Sequence, residues 1–372
     1  MLASTEQPVT IDDAEILELL AEAAATADAH GRPDESALRA LRESDLLGTV
    51  IPAEYGGRGE DVVVANRRIA EVASADPSTA IILFQHYAVS ARILEWGTED
   101  QRERILPKLA SGEWLAASAW SETGAGAAKR NLQTRGVRLP DGSWKLDGAK
   151  SFTTGAGLAQ IYLVLVQTGD AGDDDGVYGA SGQTFFLVES DRPGVEADTS
   201  LDLTGMRGSS TGFVQLHDCV VPPDAVLGPL GEAPRVIAGV RKSGLTLGAV
   251  SLGIAQAAYD LAVSHARGRG MLEQQTVRRR LVNMHMRVEA VRSVVERASR
   301  RDADNPGVVT LFSKIFASET SEEICRDAQQ LLGSMSFVRG SAIDRLSRDA
   351  RAVSLMGPTN ELSRDIVAGE TL

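Results

Sequence analysis

The chain has 372 residues, 43% hydrophobic and 24% charged, enough apolar material for two or three cored domains and too ordered a composition for a disordered or collagen-like polymer. Its 51 acidic and 38 basic residues leave a formal charge of −13, a poor match to nucleic acid or to an anionic membrane surface. Cys219 and Cys325 form no disulfide or zinc-ligand pattern, so a reducing, cytoplasmic setting is expected. Residues 1–10 lack the basic and apolar regions of a secretory signal, and the longest apolar runs, such as 161–166, fall far short of the ~20 residues that cross a bilayer.

Residues 1–116 read as an N-terminal α-helical domain. Thr10 is placed to cap a helix with Asp12 and Asp13 in its first turn, and Ile16, Leu19, Leu20 and Ala23 make one apolar stripe. Residues 37–47 and 62–75 repeat that spacing around a turn-rich loop, PAEYGGRG, at 52–59. In residues 117–228 the period changes to two. Val137, Leu139, Trp144 and Leu146 alternate with polar residues around Pro140-Asp141-Gly142, which predicts a hairpin. Runs 161–166 and 184–188 predict buried strands, separated by a mobile glycine- and aspartate-rich loop at 169–182. Residues 213–221, stopped by Pro222-Pro223, predict the last strand of a middle antiparallel β domain. The helical period returns in residues 229–372, a C-terminal four-helix bundle. Val277, Leu281, Met284, Val288, Val291 and Val295 form its longest seam. Val250, Ile254, Ala258 and Leu261 line a second helix, and Ile315, Ile324, Ala328 and Leu331 a third.

Common chemical motifs are absent. There is no GxxxxGK[ST] loop and no HExxH, and Gly124-Ala125-Gly126 lacks the third glycine of a dinucleotide fingerprint. The histidines are scattered, so no metal site is expected. Three small-residue stretches with hydroxyls remain: WSETGAG at 120–126, FTTGA at 152–156 and GMRGSST at 205–211. Such stretches either form ordinary turns or cradle a phosphate or the polar edge of a ring.

The order α, β, α with these strings resembles the acyl-CoA dehydrogenase family of FAD enzymes over nearly the whole chain. The resemblance rests on PAEYGGRG, GTEDQRERILPKLASGE at 97–113, AWSETGAGA at 119–127, LDGAKSFTTGA at 146–156, RGSST at 207–211, RDAR at 348–351 and TNEL at 359–362. It implies FAD held by the backbone of Ser118 and Trp120, with Ser121 under the pyrimidine edge, Phe152 stacked near the ring and Thr154 near N5. Gln330 and Gly333 match positions that hold the adenosine half from a neighbouring subunit, and Thr359 and Glu361 match positions beside the cofactor, which implies a homodimer or homotetramer.

The departures bear on chemistry. Ala127 and Ala128 replace a serine and an aspartate. The stretch from Arg267 to Gln275, also expected on the cofactor, is shorter than the family's and lacks its phenylalanine. Gly357 stands where many members carry the glutamate that removes the α-proton, and the other known seat, near Ser243, holds no carboxylate. A positioned base is worth about 10²–10⁴-fold, so plain desaturation is disfavoured. Met356, Gly357 and His86 are expected in the substrate pocket, His86 as a weak acid–base candidate, although a lone histidine more often serves packing. The expected function is a flavin oxygenase or hydroxylase acting on a thioester or small aromatic substrate, with molecular oxygen and a flavin-reducing partner. The alternatives are a dehydrogenase of acyl-CoA or acyl-carrier thioesters with a relocated base, and a non-catalytic flavoprotein.

Overall fold

A computed structural model describes residues 13–170 and 178–372. The expected cap at Thr10 and Asp12, and the centre of the 169–182 loop, lie outside the described residues. Helices α1 (Asp13–His30), α2 (Glu35–Glu43), α3 (Val62–Ala75), α4 (Pro77–Trp96) and α5 (Glu99–Ala110) build the first region. Most begin where a short polar side chain accepts an orphan N–H. Asp34 accepts from Ser36 and Ala37, Asp61 from Val64, and Asp76 from Ser78 and Thr79, while Thr98 and Gln101 form a capping box. Helix α2 ends four residues before the expected 47. The Ser44 hydroxyl donates to the carbonyl of Leu41 at 2.8 Å and stops the helix, and the chain then turns to bury Leu46 and Leu47.

The middle region is one sheet of β1 (Ala116–Ala119), β2 (Arg135–Arg138), β3 (Trp144–Thr153), β4 (Ile161–Gln167), β5 (Gln183–Glu189), β6 (Val195–Asp198), β7 (Gly212–Val221) and β8 (Val226–Leu227). The predicted hairpin forms, with Val137 opposite Lys145. The sheet is mixed rather than antiparallel, because β1 and β2 run successively along one edge of β4, both parallel to it. β1 leaves β4 at Ala119 opposite Val164, and β2 rejoins it at Arg135 opposite Gln167. Residues 120–134 are therefore thrown out of the sheet between two fixed ends. Nor is 213–221 the last strand, since β8 pairs with β5 after the proline pair.

Helices α6 (Ala233–Lys242), α7 (Gly248–Gly268), α8 (Gln275–Arg300), α9 (Pro306–Leu332), α10 (Ala342–Leu355) and α11 (Asn360–Thr371) complete the fold. The predicted α8 seam is buried throughout, against Val250, Ile254 and Ala258 of α7 and Ile324, Ala328 and Leu331 of α9, while Leu261 and Ile315 are half-buried. One core joins α1–α4 to α7–α10; a second joins α4, α5 and α6 to one face of the sheet. No described helix is long and apolar enough to cross a membrane.

Candidate active site

The three small-residue stretches converge. Trp120 and Ser121, Phe152 and Thr154, and Gly205, Met206 and Thr211 line one cavity of about 820 Å³, closed on its other sides by α4, α6, α9 and the 355–358 turn. Each stretch is there for a local reason. The 120–134 excursion is anchored by Glu122, whose side chain takes Lys150 Nζ at 2.6 Å and the Thr134 amide at 3.2 Å. Strand β3 carries one extra residue against β7 between Lys150 and Thr153. That bulge throws out Phe152 at φ +52, a strained conformation for a bulky residue, and leaves its ring 63% exposed. The next residues alternate: Thr154 faces the cavity with Oγ1 3.1 Å from Thr211 Oγ1, while Thr153 is buried on the opposite side with no partner for its hydroxyl.

Helix α10 pins the third stretch. Arg348 clamps both carboxylate oxygens of Asp28 at 2.8 and 2.7 Å, and Asp349 accepts the Met206 amide at 2.6 Å. Burial pushes the Asp349 carboxyl up to about 7. Gly205 allows this approach, since a Cβ there would lie 2.4 Å from the carbonyl of Arg348. The RDAR and RGSST strings thus tie α10 and α1 to the cavity wall.

These surroundings suit an isoalloxazine ring, which needs an apolar slab and a few donors at its polar edge. Phe152 and Trp120 supply the slab, and Ser121, Thr154 and Thr211 the hydroxyls. Ser118, Met356 and Gly357 also line the cavity, as expected. Arg267, Gln275, Gln330, Gly333, Thr359 and Glu361 do not lie on its wall within one chain. Gln329 does instead of Gln330: one residue is a rotation of ~100° on a helix, and it turns Gln330 outward. Thr359 caps α11 by accepting from Leu362, and Glu361 pairs with Arg364.

His86 is corrected. It is fully buried away from the cavity, with Nδ1 accepting from the Ala116 amide and Nε2 donating to the Leu47 carbonyl at 3.2 Å. Burial lowers its pKa to about 4. It is a neutral cross-link between α4, β1 and the chain after α2. Its neighbours Phe84, Gln85 and Ala88 face the cavity.

Both seats for a catalytic base are empty in space as well as in sequence. Gly357 sits on the cavity wall at φ +64, and Ser243 ends α6 with its hydroxyl spent on the Val240 carbonyl. Among the described lining residues the one carboxylate is Asp344, bound to Arg348 at 3.1 Å. The titratable group beside Gly357 is Lys314, which no motif signalled beyond a lysine on the buried face of α9. Its ammonium donates to the carbonyls of Ser354 and Pro358 and to Asn360 Oδ1 at 3.1, 2.9 and 2.7 Å. Burial lowers its pKa to about 7, yet three acceptors engage all three of its protons. It is a strut for the turn.

Residues 15–113, 117–219 and 236–372 match the N-terminal, middle and C-terminal domain families of acyl-CoA dehydrogenase. The chain belongs to the acyl-CoA dehydrogenase family. FadE25 of Mycobacterium tuberculosis, a probable acyl-CoA dehydrogenase, is 32% identical over 354 residues, covering 93% of this chain and 89% of that protein. A 3-sulfinopropanoyl-CoA desulfinase of Paraburkholderia xenovorans is 30% identical, covering 96% and 92%. The structure of butyryl-CoA dehydrogenase from Megasphaera elsdenii matches with a TM-score of 0.83 at 26% identity, over 98% of this chain and 99% of that one. The family is one of FAD-binding oxidoreductases, and the cavity fits the flavin.

Proposed function

We propose that this family member is a flavin oxygenase or hydroxylase acting on a thioester or small aromatic substrate, rather than an α,β-desaturase. The observation that carries the reading is the wall around Gly357. The one carboxylate of the described lining is held by Arg348, and the neighbouring lysine has every proton engaged. No carboxylate there is free to take an α-proton, Lys314 is committed to the carbonyls of Ser354 and Pro358 and to Asn360, and an unassisted thioester α-proton leaves slowly. Beside Gly357 the lining carries Leu247 and Met356 as well as Lys314, and the missing side chain leaves space that admits a larger ring or molecular oxygen. A flavin bound in the cavity supplies a hydride acceptor and, once reduced, the electrons for oxygen. This chain's residues orient it through Phe152, Ser121 and Thr154, and exclude water through Leu245 and Leu247. A flavin-reducing partner belongs to the same proposal.

The cofactor contacts of Gln330, Gly333, Thr359 and Glu361 are proposed across a homodimer or homotetramer interface. The exposed Phe312 and Phe316 of α9, with Met335 and Phe337 just beyond it, offer that interface an apolar surface. Desaturation with a relocated base is the second reading, favoured by the 32% identity to a probable acyl-CoA dehydrogenase. Supplying the reduced holoenzyme with ¹⁸O₂ and candidate substrates tests the first: label in the product supports it. Fast bleaching of the flavin by saturated acyl-CoAs, with an enoyl product and no label, replaces it with the second.

A further inference from the structure

A second pocket, of about 460 Å³, lies behind the active cavity, between the start of α3, the second half of α4, the end of α6 and the end of α8. Arg92 and Leu245 line both spaces, so at that point the wall between them is one side chain thick. Exposed Glu60, Glu95, Lys242 and Arg301 stand at its mouth, and the buried Tyr87, Arg92 and Leu245 at its floor. Between mouth and floor the half-buried Val50, Val62, Ala91 and Leu94 make an apolar throat.

The two shared residues differ in how firmly they are held. Leu245 rides a pinned turn at 243–246. Asn66 of α3 donates to the Gly244 carbonyl at 2.8 Å and accepts the Thr246 amide at 3.1 Å, and the Ser243 hydroxyl accepts the Leu245 amide at 3.3 Å. Tyr87 is fixed by donating to the Leu46 carbonyl at 2.6 Å. Arg92 has one ion-pair partner among the described residues, Glu95, 2.6 Å from its Nη1, and its buried Nε has no acceptor. Glu95 is itself 42% exposed, and an ion pair with one end in water holds weakly. Gly239 of α6 leaves the pair room, since a Cβ there would stand 3.0 Å from Arg92 Nη1 and 2.9 Å from Glu95 Oε1. Arg92 is thus a movable plug in a fixed frame. The cations Arg92, Lys242 and Arg301 are nearly balanced by Glu60 and Glu95, so the pocket has little field to draw an ion, and its throat suits a small uncharged molecule.

We infer that this pocket is a second entrance to the active cavity for dioxygen, opened when the Arg92 side chain swings toward the mouth. The inference rests on the oxygenase reading above. In that reading an organic substrate and oxygen meet at one flavin, and a substrate seated in the main cavity blocks the way it came in. An apolar throat that ends one side chain from the cavity supplies a path the substrate does not use.

Ala91 and Val62 line the second pocket and not the first, so a larger side chain at either plugs the throat and leaves the active cavity alone. Crystals pressurised with xenon, an apolar probe for dioxygen, are expected to hold xenon in the throat against Leu245, and crystals of Ala91→Phe to lose it. In solution the flavin-loaded protein is photoreduced without air, saturated with octanoyl-CoA and mixed with oxygenated buffer. Each reduced flavin then passes two electrons and two protons to dioxygen, giving hydrogen peroxide. Reoxidation of Ala91→Phe is expected to be at least fivefold slower than that of the wild type, while reduction of the ligand-free variant by dithionite stays within twofold. Val62→Phe plugs the same throat from α3 and serves where Ala91→Phe does not fold. Equal reoxidation of wild type and variants, or a wild-type throat without xenon, overturns the inference and leaves the oxygenase reading standing. Slowing of both reactions alike overturns it as a general disturbance of the site. A wild-type flavin that oxygen does not reoxidise overturns both readings. The xenon comparison needs no thioester and decides where octanoyl-CoA does not bind.

Discussion

Gly357→Glu puts a carboxylate back on the cavity wall, and the structure sets its cost and its gain. The backbone at 357 is left-handed, φ +64, and a Cβ built there meets Leu247 Cδ1 at 3.4 Å, ordinary contact rather than a clash. The cost is therefore conformational, about 1–2 kcal/mol for a non-glycine residue in this region, and the variant is expected to fold with a slightly lower melting temperature. The gain is that of a positioned base, about 10²–10⁴-fold where the geometry is good. Gly357→Ala carries the same backbone cost without the carboxylate and is the control. Anaerobic stopped-flow mixing with butanoyl-, hexanoyl- and octanoyl-CoA, following the flavin band, is expected to show slow bleaching in the wild type and Gly357→Ala and at least tenfold faster bleaching in Gly357→Glu. Rapid bleaching of the wild type with an enoyl product would refute the reasoning, because a base would then act from a position the cavity wall does not suggest.

Thr154→Val is expected to weaken flavin binding about three- to tenfold, the net worth of a hydrogen bond of ~0.5–1.5 kcal/mol, while Thr153→Val, which removes an already unpartnered hydroxyl, leaves it unchanged; equal losses would place β3 in the wrong register. His86 has a folded pKa of about 4, below its ordinary value, so its contribution to stability is present above pH 6.5 and is lost as pH falls toward 4. Chemical denaturation is expected to show about 3 kcal/mol lost between pH 7 and pH 4 from this residue, a slope that His86→Gln flattens without changing the rate of flavin reduction. Lys314→Met leaves the acceptors of Ser354, Pro358 and Asn360 unpaired, so a loss of roughly 3 kcal/mol is expected, with faster proteolysis at 355–359 as its signature.

The architecture was legible because its signals are periodic and local. The six apolar positions from Val277 to Val295 make a buried helical seam, and a short polar residue before α2, α3, α4, α5, α9, α10 and α11 declares each start. Direction in the sheet was not legible. The choice of one β4 edge by both β1 and β2 is a long-range pairing that leaves no mark in either strand's own alternation. In the site, Phe152, Ser121 and Thr154 were readable as strings, but His86 was misplaced, since one step along α4 separates a residue facing the cavity from one facing the core. Lys129, buried on the same cavity's wall, gave no sign at all. Its burial depends on Tyr178 and Gln183, some fifty residues on, which meet the middle of the 120–134 excursion.

The same distinction explains how the strings of a desaturase can surround a site without its base. Glu122 with Lys150, Arg348 with Asp28, and Asp349 with the Met206 amide hold the cavity's three walls in place, and of these charged side chains only Arg348 reaches its lining. The turn at 356–359 is held by Lys314 through carbonyls and through Asn360, and by the Thr359 cap on α11. No contact of that turn uses a side chain at 357. Removing the carboxylate there breaks nothing, and at φ +64 a glycine relieves the backbone. Apart from that backbone preference, catalytic identity at this position is thus free of the contacts that hold the fold. What reaction the cavity performs must therefore be decided by its lining, which has Leu247, Met356 and Lys314 beside Gly357 and no free carboxylate among the described residues, and not by the strings that build it.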